Sequence, residues 1–201
     1  MSVNSGSARA KATFRSQLRE TARAAILDAA EELIATRGLQ GAPLVQIAKR
    51  AGVAVGTLYN YFTDRDELVQ ALFESRRATL RPMIRAAIET DEGLAFEPRL
   101  RSFIRAVLAA FEAHRQFVKV AIEAEHRKTP SATSTDLQLA IKEIVKIGVR
   151  EKAVAPARAE LLAMLIGGGL RAVVLRRIGE DASLEADADD IVTIFLDGAR
   201  A

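Results

Sequence analysis

Apolar residues return at helical rather than strand spacing along nearly the whole chain. From about Gln17 to Arg37 they fall at Ala22, Ile26, Leu27, Ala30, Leu33 and Ile34, the stripe of an amphipathic helix. Gly38 follows where a left-handed residue ends a helix. Two much shorter segments come next, Leu44 to Ala51 and Val55 to Phe62, on either side of the turn Gly52-Val53-Ala54. Asp64, with Glu67 three residues on, opens a long helix in the manner of a capping box. Leu68, Leu72, Leu80, Ile84 and Ile88 carry that helix to about Glu89, and Pro82 inside it must kink or divide it.

The later pattern is also helical. Leu100, Phe103, Ile104, Val107, Leu108 and Phe111 stripe Glu97 to Glu112, and Phe117 to Arg127 is a shorter segment. Thr129 to Thr135 reads as a Pro/Ser/Thr loop. Leu137 to Val149 is helical again, and Pro156 suits the first turn of a helix running to about Ile178. After a loop at Gly179 to Ser183, Ser183 caps a last helix. That helix has Glu185, Asp187, Asp189 and Asp190 early and Ile191, Ile194 and Phe195 later. The pattern predicts an all-α chain of about nine helices, without strands or repeats. It divides into residues 1–15, a flexible basic arm of small polar residues; residues 16–65, a compact helical module; and residues 66–201, a larger helical domain.

Charge placement sharpens this division. The net charge is only +3, but residues 1–65 hold nine Lys/Arg against five acids while the remainder is close to neutral. Positive charge gathered in one module suits a polyanion, although a solubilising tail would look the same. The chain has no cysteine, which excludes disulfides and thiolate metal sites. No apolar run reaches the ~18 residues of a membrane span; the longest, Leu161 to Leu175, is interrupted by three glycines and Arg171. With no apolar export signal at the start, the expected location is the cytoplasm, with no membrane partner.

Two stubby helices across a tight turn make the shape that sets one exposed helix into the major groove of DNA. Ala48 is small where two helices cross, Gly52 gives the turn its backbone freedom, and Ile47, Val53, Leu58 and Phe62 can form a miniature core with Ile26, Leu33 and Ile34. Val55, Gly56, Thr57, Tyr59, Asn60 and Tyr61 are then left facing outward. Their hydroxyl and amide groups can bond phosphates or base edges, and the Thr57 methyl can touch a thymine methyl. Across residues 22–73 the chain resembles the tetracycline-repressor (TetR) family of transcription regulators. The residues that carry the likeness are the Ala-rich first helix ending at Gly38, Ile47-Ala48, Ala51-Gly52-Val53, Gly56-Thr57-Leu58-Tyr59, Tyr61-Phe62, Arg65 and Leu68. The resemblance implies a homodimer, a three-helix helix-turn-helix DNA-binding domain and a C-terminal helical ligand-binding and dimerisation domain.

On this reading Tyr59, Tyr61 and Arg65 grip phosphates, and Val55, Gly56, Thr57 and Asn60 face bases. Val45 and Gln46 reach the groove edge, and Arg15, Arg19 and Arg23 approach the backbone or minor groove. The chain departs from the family at Ala42-Pro43-Leu44, where threonines are usual, and at Ala54, where a Ser often stands. Each change removes a capping oxygen worth ~1 kcal/mol.

The larger domain is chemically quiet. Phe103, Phe111 and Phe117 can line an apolar cavity, with His114, Glu123 and His126 as polar contacts, or they can be plain core and a polar helix face. Glu123-x-x-His126 is half of a helical di-iron pattern, which needs a second pair and two more carboxylates. No metal, other cofactor or catalytic residue is expected, so the chain does not read as an enzyme. Leu161, Leu165, Gly168, Ala172 and Leu175, then Ile191, Ile194 and Phe195, give the last two helices apolar faces for a dimer contact. The expected mechanism is a repressor that leaves a palindromic operator when a small molecule binds, with the Asp64–Glu89 helix as lever and Pro82 as its bend. The alternative is a helical small-molecule-binding protein or enzyme whose DNA module is vestigial.

Overall fold

The computed structural model describes residues 5–89, 93–126, 132–184 and 188–197, and among them every regular element is helical. The helices are α1 (Ser5–Gly41), α2 (Leu44–Arg50), α3 (Val55–Tyr59), α4 (Arg65–Glu89), α5 (Phe96–Ala113), α6 (Arg115–His126), α7 (Ala132–Arg150), α8 (Ala159–Gly179) and α9 (Ala188–Asp197). A 3-10 turn at Pro156–Arg158 leads into α8. The chain forms two compact units, Met1–Glu74 and Ser75–Ala201, whose boundary falls inside α4.

In the first unit, Ile26, Leu27, Ala30, Leu33 and Ile34 of α1 are buried, as are Leu39, Ala42, Ile47, Ala48, Leu58, Phe62, Leu68 and Leu72. This is the miniature core the spacing predicts, except that Val53 is only half-buried. Two features differ from the sequence reading. The expected arm at residues 1–15 is helical from Ser5 onward, and the first four residues lie outside the described ones. An Ala- and Arg-rich run favours helix without needing a buried face, so no apolar period betrays it. At its other end, α1 breaks at Gly38 (φ 75°, ψ 165°) and turns on to Gly41.

The second unit is built around α5, whose Leu100, Phe103, Ile104, Val107 and Leu108 are wholly buried. α5 packs on α7 and α9, and α7 packs along α8. α4 runs through Pro82 without dividing. Pro82 and Ala78 are both exposed, so the Ala78 carbonyl that loses its helical donor is left to water. The Thr129–Thr135 loop is also corrected: α7 already begins at Ala132. Near its start α7 is tied to α4 by Asp136, whose carboxylate accepts from Arg77 Nε (2.6 Å) and Nη2 (3.0 Å). Residues 127–131 lie outside the described ones, as do Glu185 and Asp187 of the expected acidic start of the last helix.

Candidate nucleic-acid interface

The turn between α2 and α3 is fixed by backbone geometry. Gly52 sits at φ 72°, a conformation that side-chain-bearing residues rarely adopt. Its N–H donates to the Lys49 carbonyl (3.2 Å), and the Val53 N–H donates to the Ala48 carbonyl (3.0 Å). These two bonds form a Schellman stop for α2, and α3 starts two residues later. Neither helix has a side-chain cap: Pro43 precedes α2 and Ala54 precedes α3, both extended. α3 compensates through its backbone, since the Ala54 carbonyl accepts from Thr57 N–H (2.9 Å) and Leu58 N–H (3.1 Å).

Leu58, fully buried, anchors α3 and thereby decides what the helix shows. Tyr59 is 51% exposed, Gly56 and Asn60 are exposed, and Val55, Thr57 and Tyr61 are half-buried. A Cβ at Gly56 would meet nothing within 4 Å, so the backbone there is open to close approach. Tyr61 leans on Phe62 with ring centroids 6.4 Å apart. On α2, Val45 and Gln46 are exposed while Ile47 and Ala48 are buried. The same exposed side carries Lys49, a cation that the sequence reading left out and that its place in the last turn of α2 could have suggested.

Three expected contacts are engaged inside the protein. Arg65 donates Nη2 to the carbonyls of Leu39 and Ala42 (2.9 Å to the latter). It thus ties the start of α4 to the break after α1 rather than presenting that nitrogen to a phosphate. Gln46 Oε1 accepts from Arg37 Nη1 (2.5 Å). Arg23 places its guanidinium 5.7 Å from the Phe62 ring centroid, a cation–π contact. Arg15 and Arg19 are exposed. The start of α4 is as expected: Asp64 Oδ1 accepts from Glu67 N–H (2.8 Å), and Glu67 Oε2 accepts from Thr63 N–H (2.6 Å) and Thr63 Oγ1 (2.7 Å). These donors, the hydroxyl first, hold the Glu67 carboxyl below its ordinary pKa.

In the second unit, Phe103, Phe111 and Phe117 are buried. His114 closes α5 and is half-buried, as is Glu123, while the His126 side chain lies outside the described ones. Sequence reasoning missed Arg99, which reads as a polar position on an amphipathic stripe yet is buried. Its Nη2 donates to the Ile88 carbonyl at the end of α4 (2.8 Å). The expected dimer residues divide. Leu161, Leu165, Gly168, Ala172 and Ile194 are exposed, joined by Met164 at 65% exposure. Ile191 is instead buried, Leu175 half-buried, and Phe195 half-buried over Gly169, where a Cβ would come within 2.6 Å of the ring. Ile191 is thus packed within the monomer, while Leu175 and Phe195 each keep part of their surface exposed.

Residues 26–72 match the family described as "Bacterial regulatory proteins, tetR family". The chain is 36% identical over 99 residues to the HTH-type transcriptional regulator BetI of Paraburkholderia phytofirmans, covering 49% of this chain and 48% of that one. It is 41% identical over 70 residues to the HTH-type transcriptional regulator TtgR of Pseudomonas putida, covering 35% and 33%. The alignments thus span about half or less of these curated relatives. Among solved structures, the fatty acid degradation regulator FadR of Bacillus halodurans superposes with a TM-score of 0.77 at 24% identity, over 89% of this chain and 96% of that one. The regulator FadR of Bacillus subtilis, in complex with stearoyl-CoA, gives 0.74 at 20% identity over 88% and 98%. These two likenesses carry the fold alone. Residues 26–72, with the turn, miniature core and exposed third helix described above, are the part of the chain that carries the likeness to the tetR family of bacterial regulatory proteins.

Proposed function

We propose that the protein is a cytoplasmic, ligand-responsive transcriptional repressor that binds a palindromic operator as a homodimer. The observation that carries this reading is α3: a helix anchored by one buried leucine that leaves Tyr59, Asn60 and the open backbone at Gly56 facing out. Val55, Gly56, Thr57 and Asn60 face bases, Tyr59 and Tyr61 bond phosphates, and Val45 and Gln46 border the groove. Arg15, Arg19 and Arg23 lie toward the backbone. Arg65 braces the module. The dimer face is α8 with α9. From Leu161 to Leu170 α8 is apolar on both sides, which suits a segment covered on both: Leu162, Ala163, Ile166 and Leu170 face inward, while Leu161, Met164 and Leu165 face out.

The effector is a small molecule held in the second unit near Phe103, Phe111, His114, Phe117, Glu123 and His126. It acts by binding one conformation of the dimer better than the other. Stearoyl-CoA, bound by a protein of the same fold, is the first probe to try. The test is selection of duplexes from genomic fragments with the purified full chain, followed by affinity measurements. An inverted repeat bound at nanomolar Kd is expected. Asn60→Ala, which removes an exposed amide without touching the core, should cost about 1–3 kcal/mol of binding. Only sequence-independent micromolar binding would favour the vestigial-module alternative.

A further inference from the structure

Arg37 stands immediately before the break of α1 at Gly38, and its side chain crosses to α2. The bend leaves room for it: a Cβ on Gly41 would come within 2.9 Å of the Arg37 Cβ. Arg37 Nη1 donates to Oε1 of Gln46 in the first turn of α2 (2.5 Å). Both side chains are exposed, so the core does not dictate the contact. A guanidinium has donors and no acceptor. The amide of Gln46 must therefore turn its oxygen to Arg37 and its Nε2 hydrogens away, because the flipped amide would set donor against donor. Among the described residues Nε2 has no hydrogen-bond partner. A free glutamine reads adenine with both ends of its amide, the oxygen accepting from N6 and the nitrogen donating to N7. With its oxygen engaged, Gln46 offers a duplex only hydrogens. In the major groove guanine presents two neighbouring acceptors, N7 and O6, whereas adenine and cytosine each present an amino donor.

We infer that Arg37 is a positioning residue that sets base preference: by holding Oε1 it makes Gln46 a pure donor, and Gln46 reads a guanine. Resting on the DNA-binding reading above, this names the base that one side chain selects and the second residue that decides the choice. The positive charge of Arg37 beside the amide favours the same acceptor-rich edge. Docking strengthens the effect. In the free protein the Arg37–Gln46 bond lies in water, where its net worth is small. Under a duplex the water leaves, and turning the amide to suit adenine would then break a charge-assisted hydrogen bond.

The experiment uses the full chain and the duplex recovered by selection. Gln46→Ala locates the base pair, as the position in each half-site where preference is lost. Affinities are then compared for two duplexes that differ only there, one carrying guanine and the other adenine. The wild type should favour guanine by about tenfold. Arg37→Met keeps the length of the stem but deletes every donor. The freed amide can then pair with both N6 and N7, so adenine should take the lead. A loss of phosphate contacts or of stability lowers both affinities alike and cancels in their ratio, so a merely supporting Arg37 would leave the ratio where it was. The proposal is overturned if Arg37→Met keeps the wild-type ratio, or if the wild type prefers a base other than guanine at that position. It is equally overturned if Gln46→Ala changes no position, which would mean that the amide serves a phosphate or that Arg37 reads the guanine itself. A wild-type chain that recovers no duplex sinks the DNA reading and this inference with it, whereas one that recovers an operator while Arg37→Met reads it identically sinks only the role of Arg37.

Discussion

α3 and α8 both turn much of their surface outward, but they show opposite chemistry. α3 shows Tyr59, Asn60 and a bare backbone at Gly56; α8 shows Leu161, Met164 and Leu165, with Ile194 of α9 exposed to 71%. Hydroxyl and amide groups keep their hydrogen bonds with water until a partner of matching polarity replaces them, so a helix like α3 is stable alone and suits a hydrated, charged duplex. Aliphatic groups gain by leaving water, at about 25 cal/mol per Å², so a helix like α8 calls for a dry protein partner. The two contacts should respond oppositely to salt: phosphate binding weakens steeply, while apolar association does not.

The largest effect that can break this comparison is Leu165→Glu. An unpaired carboxylate in a closed apolar interface costs several kcal/mol, whereas the side chain is exposed in the monomer and tolerates charge there. Sedimentation should show the variant as a folded monomer under conditions where the wild type is a dimer. Operator affinity should fall with it, because the two half-sites are no longer bound together. A variant that sediments as the wild type does would remove α8 from the interface.

The two regions also differ in how much their sequence discloses. The small unit is legible because its constraints are local: Gly52 must take a positive φ, Asp64 and Glu67 must satisfy the first turn of α4, and Leu58 must point inward for the turn to close. The carbonyl bonds of Arg65 were not legible because an arginine at the start of a helix serves a phosphate or a carbonyl equally well. Only the folded chain brings the Leu39 and Ala42 oxygens to it. The extension of α1 escaped because a helix without a buried face leaves no apolar period. In the larger unit the inward-facing residues of α5 were plain, but the division of α9 into a buried Ile191 and an exposed Ile194 depends on what packs against it. Buried Arg99 was invisible for the same reason.

A second test lies within α8, at adjacent glycines. A methyl on Gly169 would meet the Phe195 ring at 2.6 Å, whereas one on Gly168 would meet nothing within 4 Å. Gly169→Ala should therefore destabilise the fold by about 1–3 kcal/mol through overpacking. Gly168→Ala should add up to about 1 kcal/mol of helix stability, yet raise the dimer Kd, because Gly168 lies on the exposed face where a second copy is to approach closely. Thermal unfolding and sedimentation separate the two effects. If Gly168→Ala strengthens both fold and dimer, the close approach is wrong.

The smallest expected effect compares one chemical pair in two settings. Arg50–Glu32 of the first unit is an exposed pair at 2.7 Å, and Glu32→Gln should change stability by less than about 0.5 kcal/mol. Arg77–Asp136 of the second is doubly bonded, and the Asp136 side chain is only 11% exposed. Hydrogen bonding from Arg77 holds the Asp136 carboxyl below its usual pKa. The folded protein therefore binds that proton less readily than the unfolded chain, and the pair's stabilisation is complete above about pH 5. It is lost as pH falls through the depressed folded value. Asp136→Asn should cost roughly 1 kcal/mol near pH 7, and its difference from the wild type should shrink below about pH 4. Urea unfolding at several pH values reads this directly, and a difference that stays constant into acid would show that packing at the start of α7, rather than the ion pair, is what the substitution disturbs.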